Sequence, residues 1–103
     1  MDKIAALKEI LALEPGNTLA RYGLAMEFSK CGEVDAALTE FDALLASDPN
    51  YTAGYYAAAQ TFSAAGRTAE AIARLKGGIE SATRSGNHHA VSTMQSLLEE
   101  LNR

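Results

Sequence analysis

The sequence predicts an all-α chain of about six helices, built as antiparallel helix–turn–helix repeats stacked into a short solenoid. Three observations carry this. The first is an internal repeat with a period of 34 residues, in which residues 19–49 overlay residues 53–83. It pairs Tyr22 with Tyr56, Ala25 with Ala59, Phe28 with Phe62, Gly32 with Gly66, Ala37 with Ala71, Leu45 with Ile79 and Pro15 with Pro49. A period of that length marks a supersecondary unit that cannot bury its apolar face alone and must stack on its neighbours. The second is composition: alanine is abundant, and β-branched residues never run together, which favours helix throughout. The third is punctuation, since Pro or Gly turn signals separate apolar stripes at helical spacing.

The first helix is expected over 2–13, with Ile4, Ala5, Leu7, Ile10, Leu11 and Ala12 on a broad apolar face. Glu14-Pro15-Gly16-Asn17 stops it, because proline disfavours helical geometry in the residue before it; Asn17 or Thr18 then caps the next helix. The second helix covers about 18–30, with Leu19, Tyr22, Ala25, Met26 and Phe28 apolar, and Cys31-Gly32 closes it. A third, about 34–46, buries Ala37, Leu38, Phe41, Leu44 and Leu45 before Asp48-Pro49-Asn50 repeats the stop signal. The fourth, about 52–64, carries Tyr55, Tyr56, Ala59 and Phe62 up to Ala65-Gly66.

Thr68 is the expected cap of a fifth helix, with Glu70 in its first turn and Ala71, Ile72, Leu75 and Ile79 apolar. Gly77-Gly78 lies inside that helix, where each glycine costs about 1 kcal/mol relative to alanine, so a neighbouring backbone is expected to pack closely there. Ser85-Gly86-Asn87 ends it. Asn87 caps a sixth helix over about 88–102, striped by Val91, Met94, Leu97, Leu98 and Leu101.

The whole is expected to form one domain, 1–103, divided into a half repeat (2–15), two repeats (18–49 and 52–84) and a capping helix (87–103). That length suffices for a core without disulfides or metal. The net charge of −4 with pI near 5.0 argues against nucleic acid or an anionic membrane surface as a partner. The charge is uneven: nine acids face four bases in residues 1–50, and four acids face five bases in 51–103. Two solvated faces of different composition account for this, with head-to-tail association as the sharper alternative. The single Cys31 excludes an intramolecular disulfide, and Met1-Asp2-Lys3-Ile4 does not begin a signal peptide. No apolar run approaches the ~20 residues that span a bilayer. A cytoplasmic setting is expected.

The helices and their period resemble the tetratricopeptide repeat family, whose pattern is an aromatic slot, Leu-Gly, Tyr, Ala, an aromatic and a final proline. Repeat one fills the slots with Arg21, Leu24-Ala25, Phe28, Ala37, Phe41 and Pro49. Repeat two fills them with Tyr55, Ala58-Ala59, Phe62, Ala71 and Leu75, and departs at the end, where Thr83 replaces proline. Residues 2–15 match the second half of a repeat through Leu7 and Pro15, and the last helix matches the terminal capping helix of such arrays. The resemblance implies a right-handed superhelix whose concave face is lined by the first helix of each pair.

It also implies that peptide-binding positions map to Leu19, Tyr22, Met26, Ser29 and Lys30, and to Ala53, Tyr56, Gln60 and Ser63. Tyr22, Met26 and Tyr56 would make an amphipathic floor for an apolar or aromatic anchor; the alternative is that the flanking helices bury them. Members that grip a C-terminal carboxylate do so with inward Lys, Asn and Arg side chains. Tyr22, Gly23, Met26, Ala57 and Gln60 stand at those positions here, so that activity is not expected.

The expected function is therefore a protein–protein interaction module or adaptor that takes a peptide or helix of another protein in its groove. The alternative is a homo-oligomerising structural protein that uses its terminal helices, since Val91, Met94, Leu98 and Leu101 fall at heptad spacing. Catalysis is not expected, because the chain has no phosphate loop, nucleophile elbow or dinucleotide fingerprint. Neither cofactor nor metal is expected. Adjacent His88-His89 point about 100° apart on a helix, and zinc wants three or four spaced ligands. Cys31 beside a helix C-terminus gains no activation from the dipole.

Overall fold

A computed structural model describes residues 2–103; Met1 of the expected 1–103 domain lies outside the described residues. Six α-helices follow one another: α1 Lys3–Leu13, α2 Thr18–Lys30, α3 Val34–Ser47, α4 Thr52–Ala64, α5 Thr68–Arg84 and α6 His88–Leu101. Each packs on its neighbours in sequence, and α2 also meets α4, so the architecture is an all-α helical-repeat solenoid. Its radius of gyration, 13.6 Å, is close to the ~13 Å of an ordinary globular domain of this length. An array this short presents a shallow face and not a long channel.

The termini follow from local chemistry. Asn17 Oδ1 accepts the Ala20 amide hydrogen at 3.0 Å, and Asn87 Oδ1 accepts that of Ala90 at 3.1 Å, so both asparagines cap as expected. Thr68 does not. The residue before α5 is Arg67, which has no side-chain capping bond; its guanidinium instead takes both carboxylate oxygens of Glu70 at 2.8 and 2.7 Å. α2, α4 and α5 end alike. Gly32, Gly66 and Gly86 adopt φ of 77°, 77° and 69°. Each turn is locked by an amide five residues past its acceptor: Glu33 to Phe28, Arg67 to Phe62 and Asn87 to Ala82, all at 2.9 Å.

The core is the expected one except at Phe28, which was expected to fill the space between the paired helices with Phe41, Phe62 and Leu75. Ala25, Ala37, Ala59 and Ala71 are fully buried and let the paired helices approach, while Phe41, Phe62, Leu44 and Leu75 fill the space between them. Phe28 stays half-buried, with the Lys8 ammonium 5.6 Å from its ring centre. The two polar side chains inside are satisfied. Thr61 donates to the Ala57 carbonyl and meets Ser29 Oγ, both at 2.9 Å, tying α4 to α2; Ser81 meets Thr52 Oγ1 at 3.4 Å.

The slot filled by Arg21 and Tyr55 keeps one job despite the change of residue. Arg21 Nη2 donates to the Pro15 carbonyl at 3.1 Å, and the Tyr55 hydroxyl donates to the Pro49 carbonyl at 2.9 Å. Arg21 also pairs with Glu40 at 2.8 Å across α2 and α3.

The ends of the stack depart from expectation. α1 buries no residue fully: Ile4, Leu7 and Leu11 are half-buried, whereas Ala5, Ile10 and Ala12 are exposed. α2 is its main neighbour, and the side of α1 that carries Ala5, Ile10, Ala12 and Leu13 is left exposed. At the other end, α6 begins 36 residues after α4, although α4 begins 34 after α2. α5 runs 17 residues against 14 in α3 because no proline stops it, and the last helix slips by two positions.

Close approach occurs at Gly77-Gly78 as expected, but it is by the side chains of Tyr55 and Met94 and not by a neighbouring backbone. A Cβ on Gly78 would lie 2.5 Å from Met94 Sδ and 2.7 Å from Tyr55 Cβ, so only hydrogen fits between α4, α5 and α6. Met94 is buried, and Val91, Leu98 and Leu101 pack against the core. The heptad stripe of α6 therefore faces inward, onto this chain.

Candidate peptide groove on the first helices

Spacing brings the candidate residues to one side of each first helix. On α2, Leu19, Tyr22, Met26 and Ser29 follow at steps of three or four, with Lys30 four residues after Met26, and on α4 Ala53, Tyr56, Gln60 and Ser63 repeat the pattern. Leu19, Lys30, Ala53 and Gln60 are exposed; Tyr22, Met26, Ser29, Tyr56 and Ser63 are half-buried. The flanking helices do not submerge the strip. Lys30 is held by Glu27 at 3.4 Å, and Ser29 is engaged with Thr61.

The two tyrosines meet different surroundings. Tyr22 lies edge-on to Phe41, with centroids 6.4 Å apart, and tilted against Tyr51 at 5.4 Å. Tyr51 is the residue just before α4, so the start of the second repeat closes over the tyrosine of the first. Burial, then Tyr22 and then Asp48, raise the Tyr51 phenol above its ordinary value.

Tyr56 has no such cover. The residue before α6 is Asn87, which turns its side chain to its own helix. A cleft of about 230 Å³ opens there, between α4 and α6, lined by Tyr56 and Asn87 with Thr52, Ala53, His89, Ala90, Thr93 and Met94. It runs on into a shallower depression at Asn50, Tyr51 and Ser85. Sequence reasoning missed the α6 wall. The 34-residue period puts Ala90 opposite Tyr56, and the two-residue slip that brings His89, Thr93 and Met94 to the cleft leaves no mark in a pairwise repeat.

A second cleft, about 390 Å³, lies between α1, α2 and α3, with Lys8 and Glu40 at its edge and Leu11, Leu24 and Phe28 inside. It reflects the thin cover that α1 gives Phe28. Among the described residues no three of His, Cys, Asp and Glu gather as metal ligands. No helix among them is long and apolar enough to cross a membrane.

Comparison with known proteins agrees with this geometry. The tetratricopeptide repeat profile matches residues 4–60 and again 30–94. A protein from Bordetella parapertussis, solved in solution, superposes with a TM-score of 0.86 at 27% identity, over 100% of this chain and 90% of its own. A tetratricopeptide repeat domain protein from Salinibacter ruber, also solved in solution, gives 0.78 at 31% identity, over 84% of this chain and 88% of its own. A crystal structure of a Salinibacter ruber tetratricopeptide repeat domain protein gives 0.74 at 30%, covering 84% and 96%. No curated protein sequence matches significantly. Two overlapping profile matches spanning most of the chain, on a stack of helix pairs with this period, place the protein in the tetratricopeptide repeat family.

Proposed function

We propose that this protein is a non-catalytic adaptor that binds a peptide or helix of another protein along the exposed strip of α2 and α4, with α6 as the far wall. The tetratricopeptide repeat fold is generally a protein–protein interaction module. The observation that supports a groove is the partly exposed, mostly uncharged surface formed by Leu19, Tyr22, Met26, Ala53, Tyr56 and Gln60. Side chains half-open to solvent and aromatic in part supply contact area at low ordering cost. Binding in a reducing, cytoplasmic setting fits a chain whose single cysteine is exposed and unpaired.

The test is quantitative capture from a lysate of cells that make the protein, with Ala53→Asp/Gln60→Glu beside the wild type. Both sites are exposed, so equal helicity by circular dichroism is expected. A protein lost only from the variant supports the groove. Equal captures would move binding to the outer helices and overturn it.

A second reading, self-association through the terminal helices, is favoured by one observation at the α1 end. Ile10, Leu13 and Leu19, large apolar side chains, are 40, 86 and 71% exposed. Light scattering that gives a monomer mass at every concentration would remove this reading, and Leu13→Glu should dissolve any dimer.

A further inference from the structure

We infer, resting on the self-association reading and making it specific, that this chain joins head to tail. The open side of α1 in one copy takes α6 of a second copy, and the two helices complete one repeat between them. The ends of the stack are complementary halves. α1 holds the place of α3 and α5, the second helix of a pair, yet no first helix lies against it among the described residues. α6 holds the place of α2 and α4, and no second helix lies against it there.

Steps of 34 residues assign the face on α1. Ile10 stands where α3 has the fully buried Leu44 and where α5 has Gly78, which packs on Tyr55 of its own first helix. Leu13 stands where α5 has the fully buried Ser81, which meets Thr52 of that same first helix. What α5 presses against its first helix, α1 leaves open, and with larger apolar side chains. On α6 the step from α4 is 36, so Val91 and Leu98 take the places of Tyr55 and Phe62, which face α5. Leu98 is half-buried where Phe62 is buried. Docked as α4 docks on α5, α6 of the second copy sets Val91 against Ile10 and His88 against Leu13.

Charge favours this partner over an identical end. Residues 1–50 carry nine acids against four bases, and residues 51–103 carry four against five. Two α1 ends therefore oppose like charge, whereas an α1 end and an α6 end do not. The paired helices run antiparallel, so Lys3, in loose contact with Glu27 at 3.9 Å and 75% exposed, comes to the end of α6 that carries Glu99 and Glu100. Glu9 and Glu14 come to the N-terminus of α6, where the helix dipole favours acids.

One position loosens the fit. The inner pairs place buried alanines at their closest approach, Ala25 with Ala37 and Ala59 with Ala71; this pair sets Gln95 and Lys3 there. A single helix pair held off at one end buries less than a standard stable interface, so the association is weak. It also does not close. Each copy uses two different ends, and growth continues past the dimer.

Sedimentation of the intact chain from micromolar to millimolar concentration is the experiment, and the mass should rise beyond that of a dimer. Leu13→Glu closes the α1 end, and His88→Asp/Gln95→Lys closes the α6 end; all three sites are exposed, so equal helicity is expected. Each variant alone should stay monomeric. Their equimolar mixture holds one open end of each kind and should form a 1:1 dimer that grows no further. Gln95→Ala, which restores the alanine of the inner pairs, should tighten the association roughly three- to tenfold.

A wild type that stops at a dimer, association that survives His88→Asp/Gln95→Lys, or a mixture that stays monomeric would overturn the head-to-tail joint and leave self-association standing without it. Association unchanged in Gln95→Ala would overturn it as well. A monomer mass at every concentration would overturn both, and the open side of α1 would fall to a helix of another protein.

Discussion

The two junctions between successive first helices use the same tyrosine to opposite ends. Where α2 meets α4, Tyr22 packs edge-on to Phe41 and tilted against Tyr51 and serves the fold. Where α4 meets α6, Tyr56 is left open beside Asn87, and the close packing moves one layer outward to Gly78, Met94 and Tyr55. Identical residues at identical repeat positions thus differ in role because of what the following turn contributes. One turn contributes a ring. The other contributes a helix cap.

The comparison can be broken most severely by removing residues 87–103. Met94 and the half-buried Val91, Leu97, Leu98 and Leu101 leave with α6, uncovering Ala82 and Gly78. The melting temperature should fall sharply, and helical signal should be lost beyond that of the deleted residues; an unchanged melt would show that α6 covers nothing essential.

Next comes a pair of matched substitutions. Gly78→Ala sets a methyl 2.7 Å from Tyr55 Cβ, an atom close to the backbone, and should destabilise by roughly 1–3 kcal/mol despite alanine's better helix propensity. Gly54→Ala, at the other junction, meets the Cδ2 atoms of Leu45 and Leu44 at 3.1 and 3.2 Å and Tyr51 Cδ1 at an ordinary 3.5 Å. The leucine ends can rotate, so its cost should be far smaller or offset by the gain in propensity. Urea unfolding of both variants decides it, and equal costs would sink the claim that the two junctions pack differently.

Tyr51→Ala should then make the first junction resemble the second. It removes the cover from Tyr22 at a cost of about 1–2 kcal/mol for a partly buried ring. Tyr22 ring signals should move toward those of Tyr56; a Tyr22 that stays shielded would contradict the covering role.

The smallest effect lies far from either tyrosine. The hydrogen bond from Arg67, with its charge and that of Arg74, lowers the Glu70 pKa despite an opposing desolvation contribution. Stability from this depressed carboxyl is present above its unfolded pKa and fades as pH falls through the lower folded value. The pH dependence of melting below the usual glutamate range should therefore be slightly shallower in Glu70→Gln. At so exposed a site the difference should be just measurable.

Much of this was legible in the chain itself. The Pro15, Pro49 and Gly32, Gly66, Gly86 signals bound all six helices to within a residue or two, because φ constraints act locally. The alanine and aromatic set repeating at 34 predicted which residues would be buried, since small and large side chains must alternate where two helices touch. Asn17 and Asn87 were legible as caps for the same local reason. Thr68 misled, because a threonine at a helix start reads the same at the cap as one residue inside.

The sequence by itself thus determined the helices, their punctuation, the shared core and the strip that carries Leu19, Tyr22, Met26, Ala53, Tyr56 and Gln60. These depend on backbone preference and on periodic burial, both written in spacing. Only the tertiary structure decided that Tyr51 covers Tyr22 while Asn87 leaves Tyr56 open, and that α6 shifts by two residues to press Met94 against Gly78. It also decided that α1 leaves Ile10 and Leu13 exposed and buries no residue fully. Those outcomes turn on which side chain arrives from the next helix. A cleft is a relation between neighbours in space, and the repeat period describes only neighbours in sequence.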